Sequence, residues 1–245
     1  QKVRHHLYGF INAKKTFSTG HWLKYANQKI LDVKNRKKVP IFVGGTGLYF
    51  KALTDGLVNI PNIPIRYRNK IRSLHKKIGT KKFFLKLVKL DPLVRKKINP
   101  LDTQRAIRAY EIKSFTKKSM YDFFKNTKSM YQQEDFCKIL IDFPRVELIK
   151  KIDSRSQEMI KNGLISEVKR FKKLKVSKKM TASKAIGINE VSGYLDKKIL
   201  ISEVIEKISI KTRQYAKRQS TWGRSNMSNW IKINPNSIDK ILKKI

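Results

Sequence analysis

Apolar residues recur at helical spacing along most of this chain. Trp22, Ala26, Ile30 and Val33 stand three or four residues apart, which predicts an amphipathic helix over about residues 19–37. Such a helix has one face for a core and one face for solvent. Further helices are predicted at 48–53, through most of 66–130, on both sides of Gly163, at 183–195, at 200–222 and from Pro235 onward.

Short apolar runs predict strands at Val39–Val43, Cys137–Phe143 and Asn229–Asn234. The first run leads through the letters GGTG into a helix, an order that is typical of α/β folds. Leu57–Arg66 contains two prolines and no clear period, which favours a linker. The sequence therefore predicts an α/β fold interrupted by an all-helical insertion. Its predicted parts are a first α/β segment over 1–58, the helical insertion over 59–135 and a second α/β segment over 136–245.

The charge balance narrows the range of partners. Lysine and arginine number 57 against 18 aspartates and glutamates, so the formal net charge is +39. This field favours a nucleic acid or an anionic surface, although an AT-rich genome would also encode an excess of lysine. The single cysteine rules out an internal disulfide and fits a reducing cytoplasm. No apolar run reaches the roughly 18 residues of a membrane span, so we expect no membrane-embedded segment.

Gly44, Gly45 and Thr46 form the turn between the first predicted strand and its helix. Free backbone N–H groups and the positive end of the helix dipole allow such a turn to bind an anion. The letters match neither a dinucleotide fingerprint nor the phosphate loop G-x-x-x-x-G-K-[ST]. The alternative is an ordinary turn that needs glycine for a positive φ angle.

Arg155 falls on the predicted apolar face of its helix, together with Leu148, Ile152 and Met159. A charge on a buried face is costly unless it is paired. Arg155 therefore either meets a carboxylate in the core or points into a site that receives an anion. A planar guanidinium with several donors suits a diphosphate.

Asp102 is a candidate N-cap for a helix that carries a polar face. Gln104, Arg108 and Glu111 share that face, with Arg105 beside it. An amide and two guanidinium groups could recognise a base edge and its phosphate. The alternative is a solvated face with an Arg108–Glu111 ion pair.

The segment from Lys211 to Arg224 interleaves cations with aromatic residues. Lys211, Tyr215, Arg218 and Trp222 fall on one face of the predicted helix. Such a pattern can hold a phosphate backbone and stack on bases. The alternative is that Tyr215 and Trp222 are core residues, an interpretation that Lys211 and Arg218 fit poorly.

The histidines and the cysteine do not suggest metal or nucleophilic chemistry. His5, His6, His21 and His75 lack partners at zinc-ligand spacing, so we predict no protein metal site. Cys137 opens an apolar run, which favours a core residue over a nucleophile.

Six segments, in their order along the chain, together resemble one enzyme family. They are Arg4–Leu7 (RHHL), Pro40–Leu57 (PIFVGGTGLYFKALTDGL), Asp91–Ile112 (DPLVRKKINPLDTQRAIRAYEI), Lys151–Val168, Ala185–Leu195 (AIGINEVSGYL) and Thr212–Arg224 (TRQYAKRQSTWGR). In this combination the chain is similar to the tRNA dimethylallyltransferases, also called tRNA isopentenyltransferases or IPP transferases.

The resemblance implies a P-loop NTPase-like parallel-sheet core with a helical insertion that grips the anticodon stem-loop of tRNA. It implies transfer of a dimethylallyl group from dimethylallyl diphosphate to the exocyclic amine of the adenosine just 3′ of the anticodon, in tRNAs that read codons beginning with U. The base is expected to be flipped out, with Mg²⁺ assisting. A cytoplasmic monomer is expected.

The resemblance also implies roles for individual residues. Thr46 is expected to line the channel near the adenosine, and Arg155, Gly44 and Gly45 are expected to bind the diphosphate. The implied tRNA contacts are Thr46, Arg68, Gln104, Arg105, Ala106, Ile107, Arg108, Lys184, Ala185, Ile186, Gly187, Ile188, Asn189, Lys217, Arg218, Gln219, Ser220, Thr221, Trp222, Gly223 and Arg224.

The chain departs from the family pattern in three places, one of which is Gly47, where the family frequently has Met or a larger residue. The family's phosphate loop (GPT-x-SGKT) and its general-base aspartate lie ahead of the segment that begins at Gln1. We therefore expect an N-terminally truncated fragment with negligible activity on its own. Ile188 and Asn189 stand where the family usually has a tyrosine and a basic residue. Two alternatives stay open, a non-catalytic basic RNA-binding module and a relative of P-loop small-molecule kinases.

Overall fold

The computed structural model of this chain describes residues 3–237 and is built mainly of α-helices. Most of the helices lie where apolar periodicity predicts them. The helix predicted from Pro235 onward falls mostly outside the described residues. The helices are α1 (Thr19–Asn35), α2 (Gly47–Thr54), α3 (Ile65–Leu90), α4 (Thr103–Thr116), α5 (Met120–Lys125), α6 (Arg145–Lys161), α7 (Leu164–Lys173), α8 (Ile188–Leu195) and α9 (Ile201–Asn226). The strands are β1 (Ile139–Ile141) and β2 (Ile231–Ile233).

The chain divides into two units, which we call the α/β unit and the helical unit. The α/β unit contains the described residues up to Ala52 and from Gln133 onward, and the helical unit is Leu53–Gln132. The helical insertion predicted from the sequence over 59–135 overlaps most of this helical unit. Within residues 3–237, no helix combines the length and the apolar character needed to cross a bilayer.

The sheet of the α/β unit confirms two of the predicted strands. β1 and β2 run parallel, with Ile139 opposite Ile231 and Ile141 opposite Ile233. Parallel strands cannot be joined by a tight turn and need a long crossover, which α6 to α9 supply here. Both strands are short, and the pairing ends where the backbone N–H of Asp142 donates to the carbonyl of Ile233 at 2.9 Å.

The predicted strand at Val39–Val43 is wrong, because this segment has no regular secondary structure. Its side chains still alternate as they would in a strand. Val39, Ile41 and Val43 are more than four-fifths exposed, whereas Pro40 and Phe42 are partly buried. A strand exists only when a neighbour pairs with its backbone groups. Within residues 3–237 the sheet contains β1 and β2, and neither pairs with this segment.

The helical unit is organised by the packing of α3 against α4. Its core contains Phe83, Leu87, Ala106 and Ala109, all nearly or fully buried. α3 is kinked at Gly79, where a φ angle of +76° interrupts the helical geometry.

The N-cap predicted for α4 is confirmed. A carboxylate oxygen of Asp102 accepts a hydrogen bond from the backbone N–H of Arg105 at 3.0 Å. This bond satisfies one of the otherwise unpaired N–H groups in the first turn. The start of α4 is therefore fixed by its own sequence.

In the α/β unit, α6 packs against α9 and a second core forms around α7, α8 and α9. Leu164, Val168, Val191 and Val204 are among its buried residues. Gly163 has a φ angle of +95° and separates α6 from α7, as the sequence predicts for a glycine at the end of a helix.

Glu190 ties α8 to α9 through a buried ion pair. Its carboxylate is almost fully buried, accepts a hydrogen bond from the backbone N–H of Gly187 at 2.8 Å and pairs with the ammonium of Lys211. Burial alone would raise the pKa of Glu190, but the hydrogen bond from Lys211 and those from backbone N–H groups outweigh burial and lower it. Lys211 is itself half-exposed, so it pairs with the buried carboxylate from the surface of the unit.

Acid should weaken the α/β unit through Glu190. A carboxyl group whose pKa is lower in the folded chain adds stability above its unfolded pKa, and this stability is lost as the pH falls through the folded value. The free energy of unfolding should therefore decrease as the pH falls below the ordinary glutamate value of 4.5. Glu190→Gln should remove this part of the pH dependence. At neutral pH it should also lower stability by about 2 kcal/mol, because Lys211 loses its charged partner.

Denaturant unfolding at neutral and mildly acidic pH checks this prediction. Glu206→Gln is the control, because Glu206 is exposed on α9 and the charge change is the same. It should keep the wild-type pH profile. An unaltered pH profile in Glu190→Gln would contradict the role given to this carboxylate.

Candidate functional site

The glycine turn Gly44–Gly47 lies directly against α9. The side-chain amide of Gln219 donates a hydrogen bond to the carbonyl of Gly45 at 3.0 Å. A Cβ atom on Gly45 would lie 1.9 Å from the Gln219 amide nitrogen, and one on Gly47 would lie 2.1 Å from the ring of Trp222. Neither position has room for a side chain as the two segments now sit. The turn and the end of α9 therefore form one local structure.

The sequence offers the alternative that this turn contains glycine because its backbone needs a positive φ angle, and the structure shows otherwise. None of Gly44, Gly45 and Gly47 has a positive φ. That alternative is wrong for this turn. Glycine is required at Gly47 because the ring of Trp222 on α9 lies against its backbone, whereas the side chain of Gln219 beside Gly45 can turn aside. The contact joins segments far apart in the chain, so the sequence pattern did not predict it. Thr46 is exposed at the surface of the turn, and its carbonyl accepts the backbone N–H of Tyr49 at 2.9 Å.

Aromatic rings brace the beginning of α2, just after the turn. The rings of Trp22 and Tyr49 are stacked, with centroids 4.5 Å apart and planes 12° apart. Phe42 packs edge-on against Trp22 at 6.1 Å. Burial raises the pKa of Tyr49, so its phenol is neutral at physiological pH. This stack joins α1 to α2 and holds the turn from the side of α1.

The second half of α9 presents its cations to solvent. Lys217, Arg218 and Arg224 are exposed, and the guanidinium of Arg218 lies over the ring of Tyr215 at 5.5 Å. Tyr215 is itself exposed, so the alternative that it is a core residue is wrong. Trp222 is half-buried because its ring packs on Gly47. The exposed part of α9 is thus a cation and aromatic surface, as the sequence pattern suggested.

The remaining residues of that segment differ in their exposure. Ser220 and Thr221 are exposed, Gln219 is half-buried and Gly223 is buried. The side chains of Leu140 lie 3.5 Å from a Cβ built on Gly223, so this glycine marks where α9 meets β1. Ser220 and Thr221 are therefore available to a ligand, whereas Gly223 is a packing residue.

Arg155 is exposed, and the prediction that it lies on the buried face of α6 is wrong. The residues that α6 buries are Ile152 and Ser156, so the buried face is turned away from Arg155. Serine is small, which permits close packing at this point of the helix. Within residues 3–237, no carboxylate lies at ion-pair distance from the Arg155 guanidinium, so the alternative of a core ion pair is also wrong.

Arg155 lines a cavity of about 350 Å³ on the surface of the α/β unit. Met159 and Leu164 give the cavity an apolar part, and the carboxylates of Glu158 and Glu167 line it as well. The side chain of Glu158 accepts a hydrogen bond from Ser154 at 2.9 Å. Arg155 therefore keeps a free cation in a partly apolar, mixed-charge setting.

In the helical unit, the polar face of α4 has the predicted composition. Gln104 and Arg105 are exposed, and Arg105 pairs with Asp102 at 3.3 Å. Ala106 is buried in the core, and Ile107 packs partly against that core. Of the segment 104–108, the side chains that a ligand can reach most directly are therefore the polar ones.

Glu111 forms ion pairs with three arginines on this face of the helical unit. The sequence pattern indicates only one of these pairs. The buried Glu111 carboxylate pairs with Arg68 and Arg108 at 3.3 Å each and with Arg72 at 3.6 Å. The i,i+3 spacing predicts the Arg108–Glu111 pair as one alternative, and the structure has it. Arg72 was missed, although its i,i+4 spacing from Arg68 places both on one side of α3.

The loop 184–189 is anchored at its centre. Lys184, Ala185 and Asn189 are exposed. Ile186 and Ile188 pack partly against the core of the α/β unit, and Gly187 is buried with a φ angle of +107°. The exposed side chains at the two ends of the loop are thus the ones a ligand can contact.

Within residues 3–237, no three histidine, cysteine, aspartate or glutamate side chains lie close enough together to hold a metal ion. Cys137 is exposed, so the prediction that it is a core residue is wrong. The reason is that β1 begins two residues later, at Ile139, and Cys137 lies before the sheet pairing.

Comparisons with known proteins identify relatives of this chain. The family model described as IPP transferase matches residues 1–226. The tRNA dimethylallyltransferase of Pelagibacter ubique (strain HTCC1062) is 52% identical over 245 residues, which covers 100% of this chain and 78% of that protein.

Solved structures of related proteins have the same fold. The full-length tRNA isopentenylpyrophosphate transferase of Bacillus halodurans matches with a TM-score of 0.62 at 30% identity, over 95% of this chain and 72% of that chain. A eukaryotic dimethylallyltransferase acting on tRNA matches with a TM-score of 0.76 at 23% identity, over 93% of this chain and 60% of that chain, a likeness that concerns the fold alone. The predicted P-loop NTPase-like α/β fold is confirmed.

A side chain at Gly47 should disturb the contact between the turn and α9. Gly47→Ala should lower the free energy of unfolding by about 1–3 kcal/mol, because its Cβ overlaps the ring of Trp222. The tryptophan fluorescence should shift, since the ring has to move. The loss should shrink in a Trp222→Leu background, where the two groups no longer compete for the same space.

Gly44→Ala is the matched control for stability. A Cβ on Gly44 would meet only the ring of Phe50, at 4.0 Å, which is ordinary contact. This variant should stay within about 0.5 kcal/mol of wild type. Equal losses in the Gly44 and Gly47 variants, measured by denaturant unfolding, would contradict the close packing described here.

Proposed function

The chain belongs to the IPP transferase family, and on that premise we propose that it acts as a tRNA dimethylallyltransferase. The bond between the dimethylallyl carbon and the diphosphate oxygen breaks, the exocyclic amine of an adenosine takes the dimethylallyl group, and the amine loses a proton. The observation that carries the proposal is the match to the Pelagibacter ubique enzyme along the whole chain. We propose that the adenosine is the one just 3′ of the anticodon, in tRNAs that read codons beginning with U.

The exposed cations support the tRNA anticodon stem-loop as the partner. Arg218 and Tyr215 on α9 offer a charged group beside an aromatic face, a combination suited to a phosphate and an unstacked base. On the helical unit, Gln104 and Arg105 present an amide and a guanidinium from the first turn of α4. We propose that these two surfaces bind the stem-loop, together with Arg68, Arg108 and the exposed ends of the loop 184–189.

The diphosphate is proposed to bind at Arg155 and at the backbone of Gly44 and Gly45. Arg155 has no acidic partner among the described residues, so its charge is available to an anion. The leaving diphosphate gains negative charge as its carbon–oxygen bond breaks, and a fixed cation stabilises that change. The apolar part of the Arg155 cavity suits a hydrocarbon group beside the phosphates.

Positioning is the other requirement of the reaction. An exocyclic amine is a weak nucleophile, so the rate depends on holding it near the carbon that it attacks. Thr46 lies on a turn that is held by Gln219 and is packed on Trp222, which limits its movement. We propose that Thr46 lines the channel in which the flipped adenosine is held.

Mg²⁺ is implied by the family resemblance. Within residues 3–237, no three His, Cys, Asp or Glu side chains lie close enough together to hold a metal ion. The described side chains therefore do not form a metal site on their own, and we assign no step to the ion. We propose a cytoplasmic monomer, and the free Cys137 is consistent with the reducing compartment.

Binding measurements test this function, because they depend only on residues of this chain. An anticodon stem-loop RNA with adenosine 3′ of the anticodon should bind about tenfold more tightly than the same RNA with guanosine there, since one base is read directly. Affinity should fall steeply with salt. Arg155→Ala should leave RNA affinity unchanged and weaken binding of dimethylallyl diphosphate by about tenfold or more, because a charged hydrogen-bonding group is lost.

Arg170→Ala is the control for the diphosphate measurement, since Arg170 is an exposed arginine on α7 outside the Arg155 cavity. Fluorescence anisotropy for RNA and calorimetry for the diphosphate give both affinities. RNA binding that ignores the target nucleotide, together with diphosphate binding that does not change in Arg155→Ala, would favour a non-catalytic RNA-binding module instead.

A further inference from the structure

We propose that Glu111 is a positioning residue that gathers Arg68, Arg72 and Arg108 into one phosphate-binding surface, and that Arg72 is a further RNA contact. The inference rests on the proposed function, because it assigns the helical unit to an RNA ligand. The inference goes beyond the proposed function because it gives a role to the buried Glu111 and to Arg72, an arginine outside the segments that resemble the family. We call these four residues the Glu111 cluster.

The carboxylate of Glu111 is 1% exposed and faces arginines from two helices. Its Oε2 atom accepts hydrogen bonds from Nε of Arg68 and from Nη1 of Arg108, both at 3.3 Å. Its Oε1 atom is buried without a hydrogen bond and lies 3.6 Å from Nε of Arg72. One acid therefore lies at the centre of three cations.

The arrangement leaves positive charge and donors for a ligand. Three guanidinium groups and one carboxylate carry a formal charge of +2. Arg68 and Arg72 both face Glu111 through Nε, so the terminal nitrogens of each remain for another acceptor. The three arginine side chains are 35%, 50% and 39% exposed. A phosphate of an RNA backbone has the charge and the acceptor oxygens that match this surface.

The cluster is held by the packing of its helices. Arg68 and Arg72 are one turn apart on α3, and Arg108 and Glu111 are one turn apart on α4. α3 and α4 pack through the core of the helical unit, so their side chains are presented from rigid elements. Without the acid, the three like charges would repel one another and spread into solvent.

A single structural ion pair would not need this arrangement. Burying a carboxylate is costly, and one well-placed arginine with hydrogen bonds is enough to offset the cost. Here three arginines converge, and each remains partly exposed. An RNA ligand explains why three cations are kept together at the surface of the unit.

The sign of the effect of Glu111→Gln separates positioning from simple electrostatics. The substitution raises the net positive charge by one, so electrostatics alone predicts tighter RNA binding. Positioning predicts the opposite, about fivefold weaker binding of the anticodon stem-loop RNA, because the arginines are no longer held together. Glu206→Gln on α9 makes the same charge change at an exposed site and should not weaken binding.

Variants of Arg72 test the added contact. Arg72→Ala should weaken binding of the stem-loop about fivefold and reduce the slope of log affinity against log salt by about one, as expected for one lost phosphate contact. Arg72→Lys should keep the salt slope but not the full affinity, because an ammonium lacks the planar fork. Lys86→Ala is the control, since it removes one exposed charge from α3 away from Glu111 and should have a smaller effect.

Circular dichroism and unfolding midpoints are measured for every variant, so that loss of fold is recognised. If Glu111→Gln does not fold, Glu111→Asp replaces it, because it keeps the charge but withdraws it by one methylene, and the same loss of affinity is expected. Folded variants at Glu111 and Arg72 that bind the RNA as well as wild type would overturn the inference while leaving the proposed function intact. A wild-type chain that does not bind the stem-loop would overturn both.

Discussion

Repulsion between like charges acts throughout this chain, because 57 basic side chains are set against 18 acidic ones. A buried carboxylate is therefore a rare means of holding a cation in a fixed place. Glu190 on α8 pairs with Lys211 on α9, and Glu111 pairs with arginines from two helices. Asp91 instead accepts the hydroxyl of Ser119 at 2.7 Å and so fastens the start of α5 to the end of α3. These few acids fix individual contacts in both units, on top of the packing of their cores.

α9 changes its role along its length. Val204 lies in a core, Lys211 pairs with a buried acid, Arg218 lies over an exposed ring, and Trp222 packs on the glycine turn. The helix thus connects the interior of the α/β unit to a surface of cations and to the turn that carries Thr46. A change in the position of α9 would alter all three together.

Features that depend on nearby residues could be predicted from the sequence. The N-cap at Asp102 and the helix end at Gly163 follow from local chemistry, and the structure has both. The strand at Val39–Val43 could not be judged locally, because a strand depends on the neighbour that pairs with it. The exposure of Arg155 depends on which face of α6 packs against α9. Helical periodicity places the buried face of α6 only to within about one residue, and the structure buries Ile152 and Ser156 instead of Arg155.

The candidate site depended even more on distant partners. The roles of Gly45 and Gly47 come from contacts with α9, and the role of Glu111 comes from arginines on another helix. The residue types were recognised from the sequence and from the family resemblance. The contacts of these residues could not be predicted, because each contact joins positions that are far apart in the chain.

The hydrogen bond between Gln219 and Gly45 spans 174 positions of sequence. During synthesis the glycine turn leaves the ribosome long before α9 does, and contacts between distant segments form late in folding. The glycine turn therefore lacks its contact with Gln219 until α9 has been synthesised and has packed against it. An unfinished chain cannot assemble this part of the site, so ligand binding there is coupled to completion of the fold.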